Sequence, residues 1–199
     1  MNKPLTPKQA ERLQAQIAGV KRRLAAEKRR FGAYDDSGGY RYLPPKLYVR
    51  LGDYAGGLRY TRWFDKNFGD DIGYPDFLFE WTILLFKNGR LKDAERKAAQ
   101  TFCCNTYLFD RFFGRPLVPR GMWEGSNLEM PYLAELLPYS SQDPELADFA
   151  DWLRHFESTA KFMAFAARFV SIGQQLKGAD DYETRRALLD ERRALEAGL

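Results

Sequence analysis

Lys46-Leu47-Tyr48-Val49-Arg50-Leu51-Gly52-Asp53-Tyr54 is echoed by Ile83-Leu84-Leu85-Phe86-Lys87-Asn88-Gly89-Arg90-Leu91, at a spacing of 37 residues. Each copy runs through apolar residues, then a glycine, a charged residue and a large apolar residue. Leu47 corresponds to Leu84, Val49 to Phe86, Gly52 to Gly89, Tyr54 to Leu91 and Gly57 to Ala94. Glycine after an apolar helical run supplies the left-handed backbone that ends a helix. A fixed period of this length marks a helical hairpin used more than once. No stretch shows the alternation of a half-buried strand, so the expected fold is all-α.

Working outward, Thr6-Pro7 reads as an N-cap with proline in the first turn, opening a helix to about Arg30. Leu13, Ile17, Val20 and Leu24 recur at helical spacing and draw one apolar seam. Breakers follow at Asp35-Asp36-Ser37-Gly38-Gly39, so residues 1–34 are read as a basic helical arm and 40–199 as an all-helical domain. Pro44-Pro45 opens a short helix to Leu51, and the next helix carries Leu58, Tyr60, Trp63, Phe64 and Phe68. Phe77 to Lys87 is apolar nearly all round and is expected to lie between other helices. Asn88-Gly89 stops it, and Leu91 to Cys104 is its partner. Short helices are expected at Thr106 to Phe113 and from Asn127 to about Leu137, with an irregular stretch between them. A longer helical region begins at Asp143-Pro144 and runs to about Leu176, broken near 157–159. Asp180-Asp181 caps a final helix to Leu195.

The 199 residues are 45% hydrophobic, enough for one core or a core with an appended arm. With 29% charged residues the composition is that of a soluble globular chain and not of a disordered one. The net charge of +4 permits an acidic or nucleic-acid partner without demanding one. The two cysteines, Cys103 and Cys104, are adjacent, so they make neither a disulfide framework nor a metal site by themselves. The N-terminal residues lack the apolar core of a secretory signal, and the longest apolar stretch, 77–86, is too short to span a membrane. A cytoplasmic location with no membrane partner is the resulting expectation.

At the two echoing segments the chain resembles the tetratricopeptide repeat. The likeness is best in Pro75 to Cys104, where Leu78 stands at the family's tryptophan position, Trp81 at the following leucine, and Gly89-Arg90-Leu91-Lys92-Asp93-Ala94 at its turn and small residue. Gly52-Asp53-Tyr54 copies the turn in the first unit, with Gly57 at the small position. The resemblance implies antiparallel hairpins over about 40–74 and 75–108, with the basic helix and the C-terminal helices (127–199) covering the ends. It implies a protein–protein interaction scaffold: an adaptor, a client-specific chaperone or a complex subunit. Carried over by position, the polypeptide-binding concave face comprises Tyr42, Lys46, Arg50, Asp76, Phe79, Ile83 and Lys87.

A second reading comes from the N-terminal helix itself. Lys21, Arg22, Arg23, Lys28, Arg29 and Arg30 form two triplets two turns apart, on overlapping faces, a spacing that can follow a phosphate backbone. The same triplets suit a solvated face on a helix docked by its seam. The seam would also serve self-association as a short coiled coil.

No catalytic motif is found, and no cofactor or metal is expected. His155 lies near Asp151 and Glu157, but acid–base work needs an oriented partner and a cleft. Cys103 or Cys104 with His155 would make a nucleophile pair, although both cysteines end an alanine-rich helix and read as packing. The pairs Asp35-Asp36, Asp70-Asp71 and Asp180-Asp181 stand where carboxylates cap helices and turns. The loop Arg115 to Trp123 carries large apolar residues that either fold onto the core or meet a partner.

Overall fold

Helix α1, Pro7–Phe31, begins with a capping box: the Gln9 N–H donates to Thr6 Oγ1 at 3.3 Å and the Thr6 N–H to Gln9 Oε1 at 2.9 Å. It ends at Gly32, whose backbone is left-handed and whose N–H returns to the Lys28 carbonyl. The computed structural model describes residues 5–34 and 36–198. Among them are ten α-helices, three short 3₁₀ turns and no strand, so the fold is all-α. Asp35 lies outside the described residues. The chain divides into two compact units, Met1–Ala94 and Glu95–Leu199.

The first unit contains α1, α2 (Leu43–Leu51), α3 (Tyr54–Asn67), α4 (Pro75–Lys87) and the start of α5 (Leu91–Cys104). Leu13, Ile17, Val20 and Leu24 are all buried, and α1 packs on α2. This corrects two expectations. The helix is not a separate arm, because its apolar seam needs cover and finds it within its own unit. Nor is that seam free for coiled-coil self-association. The boundary between compact units falls inside α5, whereas residues 36–41 tie the structure together locally. There the Asp36 carboxylate accepts the N–H groups of Tyr40 (2.9 Å) and Arg41 (2.7 Å).

Helices α2, α3 and α4 each pack on the other two. The turns at Gly52 and Gly89 have the same local geometry. Gly52 has φ 70° and donates to the Val49 carbonyl, while the Asp53 N–H reaches Tyr48; Gly89 has φ 69° and donates to Phe86, while the Arg90 N–H reaches Leu85. Those four bonds form two pairs displaced by 37 residues. Gly57 has a different constraint. A β-carbon there would lie 2.9 Å from Leu84 Cδ1 and nearer still to Cδ2, so absence of a side chain lets α3 approach α4.

The second unit holds the rest of α5 and then α6 (Leu108–Phe112), α7 (Pro131–Glu135), α8 (Ala147–Ser158), α9 (Ala160–Gly178) and α10 (Tyr182–Ala197). Thr159 breaks α8 from α9 and caps α9 through the Phe162 N–H. Helices α9 and α10 form a hairpin around Ile172, Leu176 and Leu188. Phe102, Phe109, Phe156, Phe162 and Phe169 supply a second cluster with ring centroids 4.6–6.1 Å apart. The loop from Arg115 folds back on this core. The Trp123 N–H donates to the Gly173 carbonyl, Gln174 Nε2 to the Arg120 carbonyl, and Arg120 Nη2 to Asp110 at 2.7 Å.

Candidate functional site

Charge separates along the chain. The first unit carries 18 lysines and arginines against 11 acids, a net of +7, and the second 13 against 16, a net of −3. The mild overall charge therefore conceals one strongly basic unit. All six cations singled out on α1 are exposed, spread over the sides of the helix that its buried seam leaves uncovered.

Several of these cations are held against rings. Lys21 Nζ donates to the Tyr48 hydroxyl at 2.7 Å, beyond the edge of that ring, and stands 5.9 Å from the ring centroid of Tyr60. The Arg23 guanidinium lies 3.8 Å over Tyr40 and bonds Glu27 at 3.2 Å. Lys28 Nζ sits 4.6 Å over Tyr34, and Arg30 5.0 Å over Phe31. Cation–π contacts of this kind position the charge without neutralising it.

Beside them is a pocket of about 430 Å³, lined by Lys21 and Ala25 of α1, Tyr34, and Arg59, Tyr60 and Trp63 of α3. Tyr60 is 3% exposed. Its hydroxyl donates to the Arg41 carbonyl at 2.8 Å, and burial pushes its phenol far above the ordinary range, so it remains a neutral donor. Trp63 and Tyr34 are half-buried and meet edge to face at 5.4 Å, with Tyr60 and Trp63 at 5.2 Å. The sequence reading did not include Tyr34, Arg59, Tyr60 or Trp63 in a site. The interleaving of Arg59, Tyr60, Arg62, Trp63 and Lys66 was the available signal.

A polar knot fixes the end of this region. Arg41 Nε donates to Asp71 at 2.8 Å, Arg41 Nη1 to Asp36 at 3.2 Å, and Arg41 Nη2 to the Tyr42 hydroxyl at 2.7 Å. Tyr42 in turn donates to Asp71 at 2.6 Å. Partial burial works to raise the Asp71 carboxyl, but the Tyr42 hydroxyl, the Gly73 N–H and Arg41 together hold it below the usual carboxylate range. Burial first, and then Asp71, pushes the Tyr42 phenol well up.

The seven residues assigned to a concave face do not form one exposed surface. Phe79 and Ile83 are 0% exposed and belong to the core, which corrects their assignment as partner contacts. A helix apolar on nearly every side is covered nearly all round. Tyr42 is half-buried with its hydroxyl in the polar knot. Asp76 is half-buried and accepts the Phe77 N–H at 3.0 Å, in the first turn of α4. Lys46 and Arg50 lie one turn apart on α2, half-buried and exposed respectively. Lys87 is half-buried, 5.4 Å from the Tyr54 ring centroid.

The residues weighed for catalysis are differently engaged. His155 is exposed, while Asp151 pairs with Arg154 at 2.8 Å and Glu157 with Arg115 at 2.6 Å. Burial pushes the Cys103 thiol well above its ordinary value, which disfavours the nucleophilic thiolate. Among the described residues, no group of three or more His, Cys, Asp or Glu side chains is placed to hold a metal ion. No described helix is long and apolar enough to cross a membrane.

No protein-family description matches the chain, and neither a curated protein nor a solved structure shows significant similarity to it.

Proposed function

We propose that this chain is a noncovalent binding protein whose first unit holds nucleic acid along the cationic face of α1. One observation carries this reading: with the α1 seam docked, Lys21, Arg22, Arg23, Lys28, Arg29 and Arg30 all stay exposed, in a unit of net charge +7. Clustered cations bind a phosphate chain by releasing its counterions, so affinity falls steeply with salt.

A polypeptide scaffold is the second reading. It is favoured by the mutual packing of α2, α3 and α4 and by the like turns at Gly52 and Gly89. With Phe79 and Ile83 in the core, it rests on the rim cations Lys46, Arg50 and Lys87.

Two charge-reversal variants separate the readings, with a fluorescein-labelled mixed-sequence oligonucleotide as the probe. Replacing Arg22, Arg23, Arg29 and Arg30 together by glutamate abolishes binding and its salt dependence. Replacing Lys46, Arg50 and Lys87 by glutamate leaves it within about twofold. For single strands the slope of log K against log salt is about −0.7 per phosphate contact. Absence of salt-dependent binding by the wild-type protein refutes the proposal.

A further inference from the structure

The geometry points to the pocket between α1 and α3 as a nucleobase site, making the first unit a reader of single-stranded rather than double-stranded nucleic acid. This inference rests on the nucleic-acid reading of α1 and deepens it. Three observations converge on it.

The first is size. A pocket of about 430 Å³ lies within the range of ligand sites, which begins near 300 Å³. The second is chemistry. Trp63 lines the pocket and is half-buried, so part of its indole is open to it, while Tyr34, with Lys28 over its ring, and the buried Tyr60 complete the aromatic wall. Aromatic surface of this kind accepts any base by stacking, whatever its hydrogen-bonding edge. The third is charge. Lys21 and Arg59 line the same pocket, and Arg22, Lys28 and Arg29 are exposed on the adjoining helix, so cations stand where the phosphates of a stacked nucleotide would run.

Duplex DNA satisfies only part of this arrangement. Its phosphates meet the cations, but its bases are stacked on one another and cannot enter the pocket without being flipped out, at a cost of a few kcal/mol. A single strand presents bases already free to move. A polyanion without bases, such as heparin, meets the cations alone. An acidic polypeptide is likewise read by charge alone.

The test compares a labelled deoxythymidine 12-mer, a mixed-sequence duplex of equal length and heparin, by fluorescence anisotropy and by tryptophan emission. The single strand is expected to bind at least tenfold tighter than the duplex and to quench tryptophan emission. Trp63→Ala lowers single-strand affinity by roughly 5- to 150-fold, the worth of one stacked base, and leaves heparin affinity unchanged. Trp63→Phe keeps a stacking face, so it retains most of the affinity but loses the quench, and this holds even if Trp63→Ala fails to fold. Equal affinity for single strand and duplex, or a quench that persists in Trp63→Phe, overturns the base site while leaving nucleic-acid binding standing. Equal loss of heparin and single-strand binding in a folded Trp63→Ala also overturns it. Heparin binding with no binding of either nucleic acid overturns both proposals.

Discussion

The Tyr42 hydroxyl donates to the Asp71 carboxylate at 2.6 Å, across 29 residues of sequence. Together with Arg41 this bond joins the 36–42 segment to the turn before α4. Its energetic weight depends on Asp71 remaining ionised. The folded protein holds that carboxyl below its ordinary value, so its contribution is present above the unfolded-state value, near 4. It is lost as the pH falls through the lower folded value. Asp71→Asn should destabilise the protein by about 1.5–3 kcal/mol at pH 7, the range for hydrogen bonds to a charged group. Thermal denaturation of both proteins at pH 7 and pH 3 should show the gap narrowing in acid. A gap independent of pH would contradict the assignment.

Gly57 gives a purely steric prediction. Gly57→Ala places a methyl against Leu84, and overpacking of this kind costs about 1–3 kcal/mol. The double variant Gly57→Ala, Leu84→Ala relieves the clash while creating space, so its loss should be less than the sum of the single losses. Urea unfolding of the four proteins measures that coupling.

Leu24 decides whether α1 belongs to its unit in solution. It is 1% exposed, and truncating a buried leucine costs about 2–5 kcal/mol. Leu24→Ala should therefore lower the unfolding free energy by that amount, read as a lower urea midpoint with little change in slope. A neutral result would mean that α1 is a free arm.

The thiols should be unequal. Cys103 is buried with a raised pKa, whereas Cys104 is half-buried. In native protein at neutral pH, a thiol reagent should modify Cys104 first and Cys103 only slowly, with both reacting at similar rates in urea. Peptide mapping after short exposure distinguishes them. Fast modification of Cys103 in the native state would show that its burial is incomplete.

Much of the helical plan was legible because it is local. Thr6 caps through Gln9, three residues on, Asp181 through the Thr184 N–H, and Gly52 and Gly89 bend the chain within five residues. Such signals lie side by side in the sequence. The docking of α1 was legible only as one of two uses of its seam, because four apolar residues at helical spacing look the same whether they meet a neighbour or another copy. The 35–39 segment has the composition of a linker, yet Asp36 uses it to bind Tyr40 and Arg41. For α4, apolar residues on every side hid which of them a partner could reach, and Phe79 and Ile83 proved inaccessible. The aromatic pocket joins Lys21, Tyr34 and Trp63, whose proximity depends on α1 and α3 meeting. Only the basic and aromatic interleaving of 59–66 hinted at it.

Lys28 over Tyr34 and Arg23 over Tyr40 have one energetic consequence in common. A ring face stands where part of each head group's hydration shell would otherwise be. An arriving anion therefore has fewer water molecules to strip from these side chains than from a freely waving lysine, and less rotational freedom to quench. The surface is dehydrated in advance, which favours rapid capture at low ionic strength over a slow search for the right rotamers.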